Sequence, residues 1–230
     1  TNVKTIEHLI GLFEIYRDLS ADTKRINHRC CDTGENMSLE IALFPLSQIV
    51  LPDGVMQLRV FEPRYQRLVR EAGKRPFASA LLNPFVQQKH PQRIYPTITQ
   101  VQICDFSQLD DGMLGITIQG TQRLQIIERW QEDDGLHVAK AEALPNWPES
   151  KLTADELVLS AQLAEVFAQN PQLKQLYPDF KSNNGCWTAQ RWLEILTMQP
   201  PLKHQLIAAT DSQPAIAMLL QWLQEQTPPN

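Results

Sequence analysis

Two Asp-Asp-Gly triplets, Asp110-Asp111-Gly112 and Asp133-Asp134-Gly135, constrain this chain more than any other feature. The first precedes MLGITIQ, where Leu114, Ile116 and Ile118 share one face, and the second joins RLQIIERW to LHVAKAEA. Asp-Gly pairs tolerate the positive backbone torsions of tight connections, so both triplets predict antiparallel hairpins.

Upstream the same grammar holds. IALF, QIVL and VMQLRV read as short strands parted by Pro45 and by the turn Pro52-Asp53-Gly54. FASALL and ITQVQICDF follow, the second setting Thr99, Val101 and Ile103 against Ile98, Gln100 and Gln102. One helix interrupts them in RVFEPRYQRLV, residues 59 to 69, with Glu62 as N-cap and Pro63 in the first turn. Phe61, Tyr65, Leu68, Val69 and Ala72 fall on one face of it before Gly73, and Phe61 is expected to anchor it. Residues 37 to 146 thus predict an antiparallel β-rich, barrel-like domain with one inserted helix.

LPNWPES, residues 144 to 150, is a proline-punctuated linker. Beyond it the period becomes helical. Thr153-Ala154-Asp155-Glu156 forms a capping box before an apolar run that ends near Asn170-Pro171. Further helices are predicted over about residues 188 to 198 and after Pro201 and Pro214, with Ile216, Leu219, Leu220 and Leu223 striping the last. The chain therefore predicts an α+β protein in which a C-terminal helical bundle, residues 150 to 230, follows the β domain. Residues 1 to 36 read as an N-terminal extension. Either an amphipathic helix runs over Val3 to Leu19, or the segment is an appendage ahead of a start at Met37.

Charge and motifs narrow the function. A net charge of −5 and a pI near 5.6 disfavour a general nucleic-acid binder, whose affinity comes from basic charge displacing counterions. No apolar run reaches eighteen residues and no signal-peptide pattern appears, so a cytoplasmic, membrane-free protein is expected. Cys30, Cys31, Cys104 and Cys186 make no CxxC pair, which reads as reduced thiols. The chain has no GxxxxGK[ST], GxSxG, HExxH or Rossmann fingerprint, so no cofactor is expected and the main motif-bearing enzyme classes are disfavoured.

Four weaker constellations compete with bland readings. HRCCD, residues 28 to 32, clusters metal-ligand types, but adjacent cysteines without a second pair serve a tetrahedral site poorly. Cys186 with His204 as base would make a nucleophile, against the commoner packing role of a cysteine beside a tryptophan. Trp192 and Trp222 read as core, whereas Trp147, in the linker, reads as a surface or cleft aromatic. Arg64, Arg67, Arg70, Lys74 and Arg75 form a basic helical side diluted by Glu71, which is either a solvated face or a partner site.

The order of segments adds a resemblance. LFPLSQIVLPDGVMQLRVFEPRYQRLV at 43 to 69, GMLGITIQGTQRLQII at 112 to 127 and DGLHVAKAEAL at 134 to 144 closely resemble the substrate-binding N-terminal domain of Lon proteases, above all its free-standing bacterial members. The FEPRY element and Gly120-x-x-Arg123 carry it, and WLEILTMQPPLKHQLIAATDSQPAIAMLLQWL looks like the family's helical tail, so it spans roughly 39 to 225. YPTITQV departs from the glycine-threonine pair the family often has before its central strand, and Leu51-Pro52-Asp53-Gly54 replaces its Phe-Pro-Gly turn.

The resemblance implies capture of unfolded or tagged protein without turnover. A non-catalytic protein- or peptide-binding module is the resulting expectation, taking extended segments through sheet-edge hydrogen bonds or aromatic contacts. Arg64 and Tyr65 are its expected contact residues, with Arg123 and Trp147 beside them. The alternatives are a small hydrolase with a dispersed site and an adaptor for one folded protein partner. They differ in whether a pocket gathers a nucleophile, base and oxyanion donor, and in whether one native partner is captured.

Overall fold

The computed structural model of the chain describes residues 38–87, 90–109 and 112–226. The helix expected over Val3 to Leu19, the HRCCD cluster and Met37 lie outside them. The chain divides into two compact units, with the break between Pro145 and Asn146.

The first unit is a six-stranded sheet: β1 (Leu39–Leu46), β2 (Val55–Val60), β3 (Phe77–Leu82), β4 (Ile94–Gln108), β5 (Leu114–Gln131) and β6 (His137–Ala143). Strand order is β2-β5-β4-β3-β1-β6, and β5 also pairs β6, so β5-β4-β3-β1-β6 returns on itself. β2 stands outside that ring, on the first half of β5. Gly112 and Gly135 hold φ of 78° and 82°, the torsions their triplets predict, and lead into the antiparallel pairs β4-β5 and β5-β6.

Four features depart from the expected pattern. β1 and β3 run parallel, because β2 and helix α1 (Pro63–Glu71) form the crossover between them. MLGITIQ and RLQIIERW form one eighteen-residue strand, β5, and the register of β4 shifts opposite its Gly120-Thr121-Gln122. Pro45 lies inside β1, beyond the β6 register that ends at Leu43, so its missing N–H removes no bond on that side. QIVL is no strand at all: Ile49, Val50 and Leu51 are buried in an irregular segment. Its Val50 N–H donates to Ser79 Oγ at 3.5 Å, and the Asp53 N–H behind it donates to Gly120 O at 3.0 Å.

The run IALF is continuously apolar because both faces of β1 are covered. Ala42 and Phe44 enter a cluster with Met56, Leu58, Val60, Ile116 and Ile118, while Ile41 and Leu43 enter another with Ile98, Leu124, Ala139 and Ala141. Helix α1 adds Tyr65, Leu68 and Val69, spaced i, i+3, i+4, to the first cluster. It starts at Pro63 and ends before Gly73. Phe61, however, is 62% exposed and anchors nothing; Tyr65 does that work.

The second unit is helical: α2 (Leu157–Gln169), α3 (Pro171–Leu176), α4 (Gly185–Ile195), α5 (Pro200–Ile207) and α6 (Gln213–Gln226). Its centre is α4, buried at all eleven positions. That helix starts earlier than its apolar period suggests, because Asn184 Oδ1 accepts from Trp187 N–H at 2.9 Å as an N-cap. Thr153 N–H donates to Glu156 Oε2 at 2.8 Å, one half of the predicted capping box, and a turn separates it from α2.

Candidate functional site

The FEPRY element folds around an open depression of about 560 Å³ lined by Glu62, Pro63, Arg64, Arg67, Arg70 and Asp134. Proline at the first helical position fixes the direction in which α1 leaves β2, so Arg64, Arg67 and Arg70 succeed one another along one side. Arg64 pairs with Glu62 at 2.6 Å, donates to Gly135 O at 3.1 Å and lies 4.8 Å from the Tyr65 ring centroid. Its side chain is one-quarter exposed. Tyr65 is buried, stacked on Phe44 with centroids 4.3 Å apart, and burial raises its phenol pKa.

The basic stripe is largely neutralised from within the unit. Arg67 forks onto Asp134, at 2.8 Å from Nε to Oδ2 and 2.9 Å from Nη2 to Oδ1, and also holds Glu132. Arg75 bridges Glu132 at 2.7 Å and Glu40 at 2.8 Å. The Arg67 hydrogen bonds hold the carboxyls of Glu132 and Asp134 below their usual range. Arg70 Nε donates to Gln66 O at 3.4 Å, and among the described residues no carboxylate pairs with it. Beside this network His137 is pushed down to about 4, first by burial and then by the charges of Arg129 and Arg64.

The expected contact residues are only partly brought together. Arg64 and Tyr65 share α1, but Arg123 sits on β5 opposite Thr99 and is 1% exposed, its guanidinium holding the Pro145 carbonyl. Trp147 is buried in the helical unit, where its indole N–H donates to Ala209 O at 2.8 Å, which corrects the reading of it as a surface or cleft aromatic. Both are anchors of chain segments. The residues that the sequence reading left out, Glu132 and Asp134, are acidic positions of a turn 65 to 67 residues from Arg67. Only the topology reveals that they face it.

Catalytic readings gain little. Cys186 is buried at 8% and its thiol donates to Trp147 O at 3.7 Å, a packing role. His204 is half-buried with its pKa lowered by that burial. Arg191, fully buried, pairs with Glu194 at 2.7 Å and lies 5.4 Å and 5.7 Å from the Tyr177 and Trp187 ring centroids, so the aromatic cluster of this unit houses its own cation. Among the described residues no group of three His, Cys, Asp or Glu side chains is placed to hold a metal, and no helix is long and apolar enough to cross a membrane.

A ring of strands with one inserted helix, followed in the chain by a helical unit, defines an α+β protein. Residues 40–225 match the family model of the ATP-dependent protease La (LON) substrate-binding domain, and the chain belongs to that family. The structure is similar to a Lon N-terminal domain protein from Xanthomonas campestris, with a TM-score of 0.61 and 26% identity, covering 80% of this chain and 98% of that one. It also shares the fold of the N-terminal domain of a Mycobacterium avium complex Lon protease, at a TM-score of 0.53 and 14% identity, covering 82% of this chain and 100% of that one. No curated protein sequence matches the chain.

Proposed function

We propose that this protein is a non-catalytic binding module that captures extended or unfolded polypeptide in the cytoplasm. The observation that carries the reading is the family match, which names a substrate-binding domain and runs through both units, from residue 40 to residue 225. The strand ring, antiparallel except at β1-β3, serves as the pseudo-barrel, and α2 to α6 as the C-terminal bundle, of a recognition domain. Arg64, one-quarter exposed, lines the depression, Tyr65 packs beside it on Phe44, and Arg123 and Trp147 each hold backbone within their own unit. A net charge of −5 fits protein rather than nucleic acid as the ligand.

The test is fluorescence anisotropy with labelled, reduced and carboxymethylated serum albumin, a chain that cannot refold, titrated with the full-length protein. Saturable binding that native albumin fails to compete supports the reading. A flat titration by protein with an intact near-ultraviolet dichroism spectrum would sink it.

A further inference from the structure

Strand β4 has two neighbours only in its middle. From Thr97 to Val101 it lies between β3 and β5, but from Gln102 to Gln108 it pairs β5 alone. Among the described residues no strand takes the other edge of that second half. A free edge presents backbone donors and acceptors at strand spacing, which is the chemistry an added strand completes.

The side chains continue the core up to this edge. Leu58, Ile116 and Phe106 lie in one cross-strand row over β2, β5 and β4, in which Leu58 and Ile116 are buried and Phe106 at the edge is 59% exposed. Ile103, opposite Ile118, is half-buried against the same cluster. An apolar floor therefore extends beneath the unpaired backbone. The Phe106 N–H donates to the neighbouring Asp105 Oδ1 at 2.9 Å, so this amide is held by a local carboxylate rather than by a strand. The register shift between Ile103 and Asp105 adds a bulge at Cys104.

Bulge and carboxylate are devices that discourage indiscriminate edge pairing, and they also select the occupant. A second copy pairing antiparallel about Asp105 would set that carboxylate against its mate, which disfavours self-association. A strand carrying lysine or arginine there neutralises it. We propose that the Gln102–Gln108 edge accepts an extended basic polypeptide segment as an added strand, with a lysine or arginine beside Asp105 and apolar side chains over Ile103 and Phe106. This rests on the polypeptide-binding reading and supplies its place and strand chemistry.

The probes are two fluorescein-labelled octapeptides, one alternating valine with lysine and the other valine with glutamate, each titrated with the full chain. The valine-lysine peptide is expected to bind more tightly by about fivefold, and Asp105→Lys to invert the preference. Phe106→Ser weakens the favoured peptide by about tenfold through lost apolar contact. Hydrogen exchange of the full chain shows the Phe106 amide gaining protection when the valine-lysine peptide is bound. A preference unchanged by Asp105→Lys, a Phe106 amide left unprotected at saturation, or no binding of either octapeptide overturns the proposal. If the carboxymethylated albumin still binds in that case, the edge alone falls and the general reading stands.

Discussion

Gly120 shows how a motif diagnostic of a family can be required by backbone packing. A Cβ there would stand 2.1 Å from the Leu51 carbonyl oxygen, and that oxygen is backbone held by the Pro52-to-Gly120 bridge and the Asp53-to-Gly120 hydrogen bond. Gly120→Ala is expected to destabilise by about 1–3 kcal/mol, because the loop must move rather than a flexible side chain. Gly73, with nothing within 4 Å and no positive φ, is the control: Gly73→Ala is neutral or stabilises by about 0.4–1 kcal/mol. Urea unfolding midpoints of the two variants separate the cases. His137 makes a second prediction at this scale. Its folded pKa is about 4 while an unfolded histidine titrates near 6.5, so the unfolded chain takes up a proton first as the pH drops between those values. Stability contributed by the neutral ring is complete above about 6.5 and falls toward about 4. His137→Gln should lessen the decline of the urea midpoint between pH 7 and pH 5, leaving the share of His204, whose pKa burial also lowers, and the loss at still lower pH, where Glu132 and Asp134 protonate through their depressed pKa values.

At the scale of elements, the clamp between α1 and the β5-β6 turn decides what the basic stripe is for. Arg67 alone engages Asp134, Glu132 and Glu71, and Arg75 engages Glu132 from the far end of the helix. These groups are partly solvated, so their joint contribution is modest and screened by salt. Arg67→Ala is expected to lower stability by about 1 kcal/mol in dilute buffer, and the difference should shrink in 1 M sodium chloride, read as urea midpoints at both ionic strengths. The stripe was legible in the sequence, as were α1, β3, both hairpins and the helical stretch beyond residue 150, because each announces itself within ten residues through period, proline or glycine. Its acidic counterpart was not, since Glu132 and Asp134 read locally as turn chemistry. QIVL failed for the opposite reason: three consecutive buried apolar residues look like a strand, but where a ladder would run Gly120 N–H donates to Gly54 O and Gly120 O accepts from Asp53 N–H. Phe61 looked like the helix anchor on spacing alone and is exposed, because the chain is still leaving β2 when it reaches that position.

At the scale of the whole molecule, the two residues expected beside Arg64 and Tyr65 as ligand contacts explain where one unit ends and the next begins. Pro145 is tied to the β unit: its carbonyl accepts from the buried Arg123 guanidinium, while Leu144 N–H donates to Arg123 O at 2.9 Å and Leu144 O accepts from Gln122 Nε2 at 2.6 Å. Two positions later Trp147 is tied to the helical unit through Ala209 O and the Cys186 thiol. The division between the units falls between Pro145 and Asn146, so the proline-rich linker is short in its effect even though seven residues read as loop. The β unit has its own two apolar clusters and pairs all six strands internally, which is what independent folding requires. A chain of residues 37 to 146 is therefore expected to unfold in one cooperative transition, with fluorescence and circular dichroism midpoints coinciding. A chain ending at Ala143 keeps every strand but takes from Arg123 its Pro145 acceptor and from Gln122 its Leu144 acceptor. Loss of a partner for a buried charged donor costs about 1–3 kcal/mol, so its urea midpoint should fall well below that of the longer chain. Equal midpoints would mean that Arg123 is satisfied without the strap, and would free its guanidinium for the ligand-facing role that its burial argues against.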